Sequence, residues 1–165
     1  MLESIMDRRS IRRYTSEPVT ENEIRTLLEC AMLAPSAKDR RPWSFIVIDD
    51  REILDKIVES QPFASSLRTA PVCICVCGTE GDIPGYYQQD CAAATMNILN
   101  SAKEIGLGTC WMGVAPRRER MDAVRAILGI PEDVCPFSLI AGGHPDEQRP
   151  RPERWDEARV HRNKW

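Results

Sequence analysis

Histidine is nearly missing from this sequence: only His144 and His161 occur, both after residue 143. A Ser-His-Asp or Cys-His hydrolase would therefore have no imidazole base in the body of the chain. Lysine is scarce as well. Of 22 basic residues, 18 are Arg and four are Lys, and Arg suits bidentate contact with phosphate or carboxylate. A genome-wide base bias would produce the same excess. The seven Cys are odd in number and contain no CxxC spacing, so they indicate neither a disulfide framework nor a zinc ribbon. They read as reduced, mostly buried thiols.

Long apolar runs are also lacking. The longest, residues 72–77, falls far short of a bilayer span, and the N-terminus lacks the apolar stretch of a secretory signal. A cytoplasmic location with no membrane partner is the expectation. Net charge is −3, which argues against a bulk electrostatic grip on nucleic acid. With 42% hydrophobic and 28% charged residues over 165 positions, the composition is that of one globular domain.

Periodicity predicts helices over 2–9, with Leu2, Ile5 and Met6 on one face, and from Thr20 toward Pro35, where Thr20 and Glu23 have capping-box spacing. Further helices are predicted over 52–60, from Gly85 to Gly106 and over 117–128, the last closed by Gly129. The long one carries Tyr87, Cys91, Ala94, Ile98, Ala102 and Ile105 on its apolar face. Strands are predicted over 43–48, 72–77, 109–114 and 134–141. The irregular alternation implies an α+β, three-layer arrangement around one mixed sheet. Residues 144–165 cannot form a core of their own. Their Trp155, Val160 and Trp165 are expected to lie on another surface, such as a second subunit's.

Several stretches have chemical potential. Arg8, Ser10 and Arg12 would point one way along an extended segment and could hold a phosphate; alternatively, these Arg complement the negative end of the first helix. The segment 34–43, Ala-Pro-Ser-Ala-Lys-Asp-Arg-Arg-Pro-Trp, would let a flat ligand approach its small residues or would simply join a helix to a strand. Residues 106–113, Gly-Leu-Gly-Thr-Cys-Trp-Met-Gly, could expose backbone N–H groups. They lack the GxGxxG spacing of a dinucleotide fingerprint. Cys73, Cys75 and Cys77 share one strand face, but are too collinear for a tetrahedral metal, so no metal site is expected. The pair Asp49-Asp50 reads as a solvated turn.

Taken in order, Arg-Arg-Ser-Ile-Arg near residue 10, Ala-Pro-Ser-Ala-x5-Pro-Trp ending at Trp43, Gly-Leu-Gly-Thr-Cys-Trp-Met-Gly before a strand, and the closing Gly142-Gly-His-Pro with its basic, Pro-rich sequel resemble the nitroreductase family of flavin enzymes. The match spans nearly the whole chain. The resemblance implies a nitroreductase-like fold with a mixed, mostly antiparallel sheet, forming an intertwined homodimer that binds FMN at the subunit interface. It makes 1–165 a single domain whose tail packs on the partner. Arg8, Arg9, Ser10 and Arg12 would hold the flavin phosphate and ribityl chain, joined by Arg149 and Arg151. Pro35, Ser36 and Asp39 would approach from the partner. The backbone of Trp111, Met112, Gly113 and Val114, Gly113 N–H above all, would face the reactive ring edge.

The activity so implied is hydride transfer from NAD(P)H through FMN to a nitroaromatic, quinone or similar small acceptor by ping-pong chemistry. A flavin-sensing dimer without turnover, or the same fold doing dehalogenation or substrate dehydrogenation, are the rival readings. Asp39 stands where the family commonly has Asn, and Arg41 where Gln is frequent; the two either pair with each other or mark a different flavin edge. The short stretch between Cys77 and Gly85 leaves little material for a lid.

Overall fold

The computed structural model describes residues 2–61, 63–82 and 84–165. Strands β1 (Trp43–Ile48), β2 (Val72–Thr79), β3 (Gly108–Gly113) and β4 (Val134–Gly143) form one sheet in the order β1-β2-β4-β3, each pair antiparallel. The parallel element is a single bridge between Ser10 and Thr109. Both faces of the sheet are covered, which is why β2 reads as an unbroken apolar run. On one face Cys73, Cys75 and Cys77 pack under α3 (Arg51–Ser60) and α5 (Arg118–Leu128). On the other, Ile74 and Val76 pack under α2 (Glu21–Met32) and α4 (Tyr86–Glu104). The three-layer α+β expectation holds.

Local signals explain most element ends. Thr20 and Glu23 form the capping box of α2, with the Glu23 carboxylate accepting from Thr20 N–H at 2.8 Å. Gly129, at φ 65°, closes α5. Gly78 continues β2 past the predicted end because a Cβ there would lie 2.7 Å from both the Cys91 thiol and the Tyr87 ring.

Four expectations are corrected. Asp50 is not part of a solvated turn: its carboxylate accepts from Glu52 N–H at 2.8 Å and caps α3, which starts one residue earlier for that reason. Ile105 is not on the buried face of α4, since the helix ends at Glu104 and Ile105 is its exposed C-cap. Helix α1 (Leu2–Asp7) is shorter than predicted, and it exposes Leu2, Ile5 and Met6 while burying Ser4. The third strand begins at Gly108 and stops at Gly113, because Val114 leaves the ladder toward the turn before α5. No helix among the described residues is long and apolar enough to cross a membrane.

In the tail, Trp155 is 77% exposed and Val160 51%, while Trp165 stacks only on His161 at 4.4 Å. None of the three finds a place in this chain's own core.

Leu139, fully buried in the central strand β4, touches the core beneath α3 and α5. Leu139→Ala should cost about 2–5 kcal/mol. Urea unfolding is expected to show a lower midpoint at unchanged slope.

Candidate functional site

Strand β3 lies at one side of the sheet, so half of its backbone groups face away from β4. Val114 N–H bonds Phe137 C=O at 3.1 Å, so by strand alternation Thr109, Trp111 and Gly113 direct their N–H and C=O groups to the free edge. The N-terminal segment covers only the first of these. Ile11 N–H donates to Thr109 C=O at 2.9 Å, and the segment then turns toward Tyr14, whose hydroxyl bonds Ala141 C=O at 3.2 Å. Past Thr109 the edge is open. A Cβ placed on Gly113 would meet nothing within 4 Å.

The Arg-rich segment is therefore stitched to the closed end of an otherwise open edge. Ile11 is buried, whereas Ser10 and Arg12 on either side of it stay accessible. Arg8 is half-buried, and its pKa is lowered by that burial and then by the charges of Arg9 and Arg154. Arg9 is mainly a tether: it donates to the carbonyls of Met6 at 3.0 Å and of Pro150 at 2.9 Å. Its Nη2 is buried without a hydrogen-bond partner. Arg9 borders a recess of about 380 Å³, which Asp7, Lys103, Glu147, Arg149 and Arg151 also line. A buried cationic donor with nothing to bond, beside further cations, fits an anionic group such as a phosphate.

The basic pair is only partly free. Arg149 contacts Glu147 at 3.0 Å and Arg151 lies 3.8 Å from Asp7. Glu147 also accepts from the Arg12 backbone N–H. This acid latches the N-terminal segment to the tail, and no motif in the sequence singles it out.

The segment carrying Pro35, Ser36 and Asp39 lies elsewhere. Ala37 N–H bonds Asp90 at 3.0 Å near the start of α4, while Lys103 borders the basic recess near its end. The thirteen-residue separation is about 20 Å along the helix. Within one chain the two sets do not meet, and a ligand touching both would need a second copy. The loop is unusual in itself: Lys38, Asp39 and Arg41 have φ of 54°, 53° and 50°. Ser36 Oγ accepts from Arg41 N–H at 3.0 Å, and Arg41 grips Asp39 bidentately at 2.8 and 2.6 Å. The Arg41 side chain holds the Asp39 carboxyl below its usual range. Of the two readings of these substitutions, the structure realises the ion pair.

Beside the open end of β3, Trp111 is half-buried against Phe137, Met112 and Val114 point into the core, and Gly113 is exposed. Arg120 donates from Nη1 to Gly113 C=O at 3.1 Å. The sequence carries one sign of this residue: Arg117, Arg118 and Arg120 crowd the start of a helix, where the dipole disfavours positive charge. Among the described residues there is no His, Cys, Asp or Glu group arranged to hold a metal. The arrangement sets a cation-rich recess at the Thr109 end of the strand apart from an exposed backbone at Gly113.

Comparison with known proteins gives the family and the fold. The model of the Nitroreductase family matches residues 5–62 and 59–144. A protein of Methanothermobacter thermautotrophicus, provisionally named an NADH dehydrogenase/NAD(P)H nitroreductase, is 44% identical over 167 residues, covering 100% of this chain and 87% of that one. A crystal structure under the same provisional name from Parabacteroides distasonis superposes with a TM-score of 0.96 at 36% identity, covering 99% and 98% of the two chains. An FMN-dependent nitroreductase of Clostridium difficile gives 0.93 at 29% identity and 100% coverage of both.

The Glu147 latch has a pH signature. The Arg12 backbone N–H and then the Arg149 side chain hold its carboxyl below the ordinary value. A carboxyl with a depressed folded pKa stabilises the fold above its unfolded value, about 4.3, and that contribution is lost as pH falls through the folded value. Thermal melting of Glu147→Gln should lie below the parent at pH 7, and the gap should close toward pH 3. A gap that stays constant over that range contradicts the latch.

Proposed function

This chain belongs to the nitroreductase family, and on that premise we propose that it is an FMN-dependent oxidoreductase, taking hydride from NAD(P)H and passing it to a small acceptor such as a quinone or nitroaromatic. The observation that carries the reading is the free edge of β3, flanked by Arg side chains at Thr109 and bare at Gly113. When bound there, FMN would supply the two-electron carrier that no side chain of this protein provides.

The chain's own residues would do the rest. Arg8, Ser10, Arg12, Arg149 and Arg151 would hold the phosphate and ribityl chain, with Arg9 offering its free Nη2 while tethering the segment. Fixed backbone donors at the open edge, Gly113 N–H above all, would stabilise added electron density without any titrating group. No imidazole base would then be needed at Gly113. Trp111, Met112 and Val114 would set the height of this edge by their packing. Donor and acceptor would use one exposed face in turn, which is ping-pong chemistry. The short connection between β2 and α4 would leave that face uncovered.

The domain would be complete only as a homodimer. The exposed Leu2, Ile5, Trp155, Val160 and Trp165 would be covered by the partner, and Pro35, Ser36 and Asp39 would serve the partner's flavin across the interface.

The reading is tested by reconstituting the protein with FMN and adding NADH or NADPH without oxygen. Bleaching of the yellow colour, then its return on adding a quinone, is expected; flavin that binds but never bleaches would favour a sensing role. Arg12→Ala removes a charge-assisted contact of about 1.5–3 kcal/mol and should weaken flavin binding by one to two decades in titrations followed by fluorescence. Truncation after Gly143 removes the tail anchors together with Arg149 and Arg151. Loss of dimer and loss of flavin should then appear together in size-exclusion runs monitored by absorbance, and a yellow dimer from that truncation contradicts the tail's assignment.

A further inference from the structure

Arg120 serves none of the motifs above, yet it is held more firmly than most exposed arginines. Its Nη1 donates to Gly113 C=O at 3.1 Å. Its guanidinium carbon sits 3.8 Å from the centre of the Phe63 ring, a cation–π distance. Its own carbonyl accepts from Nε2 of Gln61, a side chain only 1% exposed, at 3.3 Å. Its head group and backbone are thus held, in the first turn of α5, by two other parts of the chain: the end of β3 and the residues at and after the end of α3. Arg120, Gln61 and Phe63 wall a recess of about 560 Å³ together with Ser60 and Glu119.

The charge is also uncompensated. No carboxylate lies within 4.0 Å of Arg120 among the described residues, whereas Arg118 and Arg125 on the same helix both pair with Asp122. The first turn of a helix is an unfavourable place for a cation. A fixed, unpaired positive charge has therefore been kept at a position where the local helix works against it. What it touches instead is the residue whose N–H faces the open edge.

We propose that Arg120 is a positioning residue for the electron-transfer edge, with two linked effects. By gripping Gly113 C=O it fixes the peptide joining Gly113 to Val114 and so restricts rotation about Gly113, whose own N–H sits on the preceding peptide. By holding a full positive charge beside that edge it favours the reduced, more negative form of the carrier bound there. No new reacting group is involved: the hydride still leaves the nicotinamide, and the same two electrons later reach the acceptor. Only the equilibrium between the oxidised and reduced carrier is biased. The inference rests on the functional reading above.

The test compares Arg120→Gln, Arg120→Lys and Phe63→Leu with the parent, each reconstituted with FMN and reduced alongside a reference dye of known potential. Arg120→Gln keeps a donor for Gly113 C=O and loses the charge. It should shift the flavin–dye equilibrium at least tenfold toward oxidised flavin, about 30 mV for a two-electron couple. Arg120→Lys should shift it less than threefold, and Phe63→Leu should fall between the two. Affinity for oxidised FMN should change by less than threefold in all three, the loss in Arg120→Gln falling on the reduced form. An equilibrium in Arg120→Gln within twofold of the parent overturns the inference, as does an equal shift in the Gln and Lys variants, which would mark a purely structural role. If the parent itself takes up no FMN, the functional reading falls and this inference with it; apoprotein melting of each variant distinguishes that outcome from misfolding.

Discussion

The hydrogen bond from Ile11 N–H to Thr109 C=O closes only the beginning of the free edge of β3, and much of this structure depends on where that closure stops. An open strand edge invites pairing with another chain, and proteins generally cover or blunt it. Here the N-terminal segment forms one parallel bridge and then turns toward Tyr14 and the core. The consequence is a sheet edge with its cationic, covered end next to a bare end. Had the segment continued in register, Trp111 and Gly113 would have lost the outward N–H groups to which the function is assigned.

The electrostatics follow the same division. Cations gather at the covered end, but Glu147 and Asp7 partly neutralise Arg149 and Arg151, so that end is latched as well as charged. At the open end one unpaired cation, Arg120, faces backbone dipoles. Between them β3 contributes Cys110, whose thiol burial pushes up while Arg12 and Arg149 pull it down. Cys73, Cys75, Cys77 and Cys91 are core packing, while Cys30 and Cys135 are partly buried. Cys73 is fully buried and its pKa is pushed up to about 12, so it has little thiolate character. Cys75 and Cys77 lie 3.7 Å apart at an irregularity in β2.

The loop after α2 stores backbone strain in a confined place. Side chains at φ near 50° cost about 1–3 kcal/mol each where the residue type is unsuited to that region. Three such residues within four positions persist because Asp90, Ser36 and the Asp39–Arg41 pair hold the turn from both sides. These contacts keep the loop's shape while leaving Pro35 and Asp39 exposed. The same residues that make the loop costly also make it a rigid projecting feature, suited to contact with a second chain.

Much of the fold was legible because it depends on short-range chemistry. Thr20 with Glu23, Gly129 after Leu128 and the apolar spacing of α4 from Tyr87 to Ala102 specify helix ends and faces through neighbouring atoms alone, and the structure reproduces them, Ile105 excepted. So does β1, whose bounds match because Pro42 and Asp49 punctuate it. The Arg-Arg-Ser-Ile-Arg segment and the Gly-rich strand were likewise visible as a set, since their spacing resembles a family pattern. Strand order was not legible: nothing local places β4 between β2 and β3. The partial closure of the edge, the Glu147 latch and the orphaned Nη2 of Arg9 were hidden for the same reason, as each joins residues far apart in the chain or depends on what fails to reach it. Arg120 shows the boundary most clearly. Its identity as a cation opposed to a helix dipole was written in the sequence, but what it opposes the dipole for, the carbonyl of Gly113 and the ring of Phe63, exists only once α5 has packed beside the end of β3.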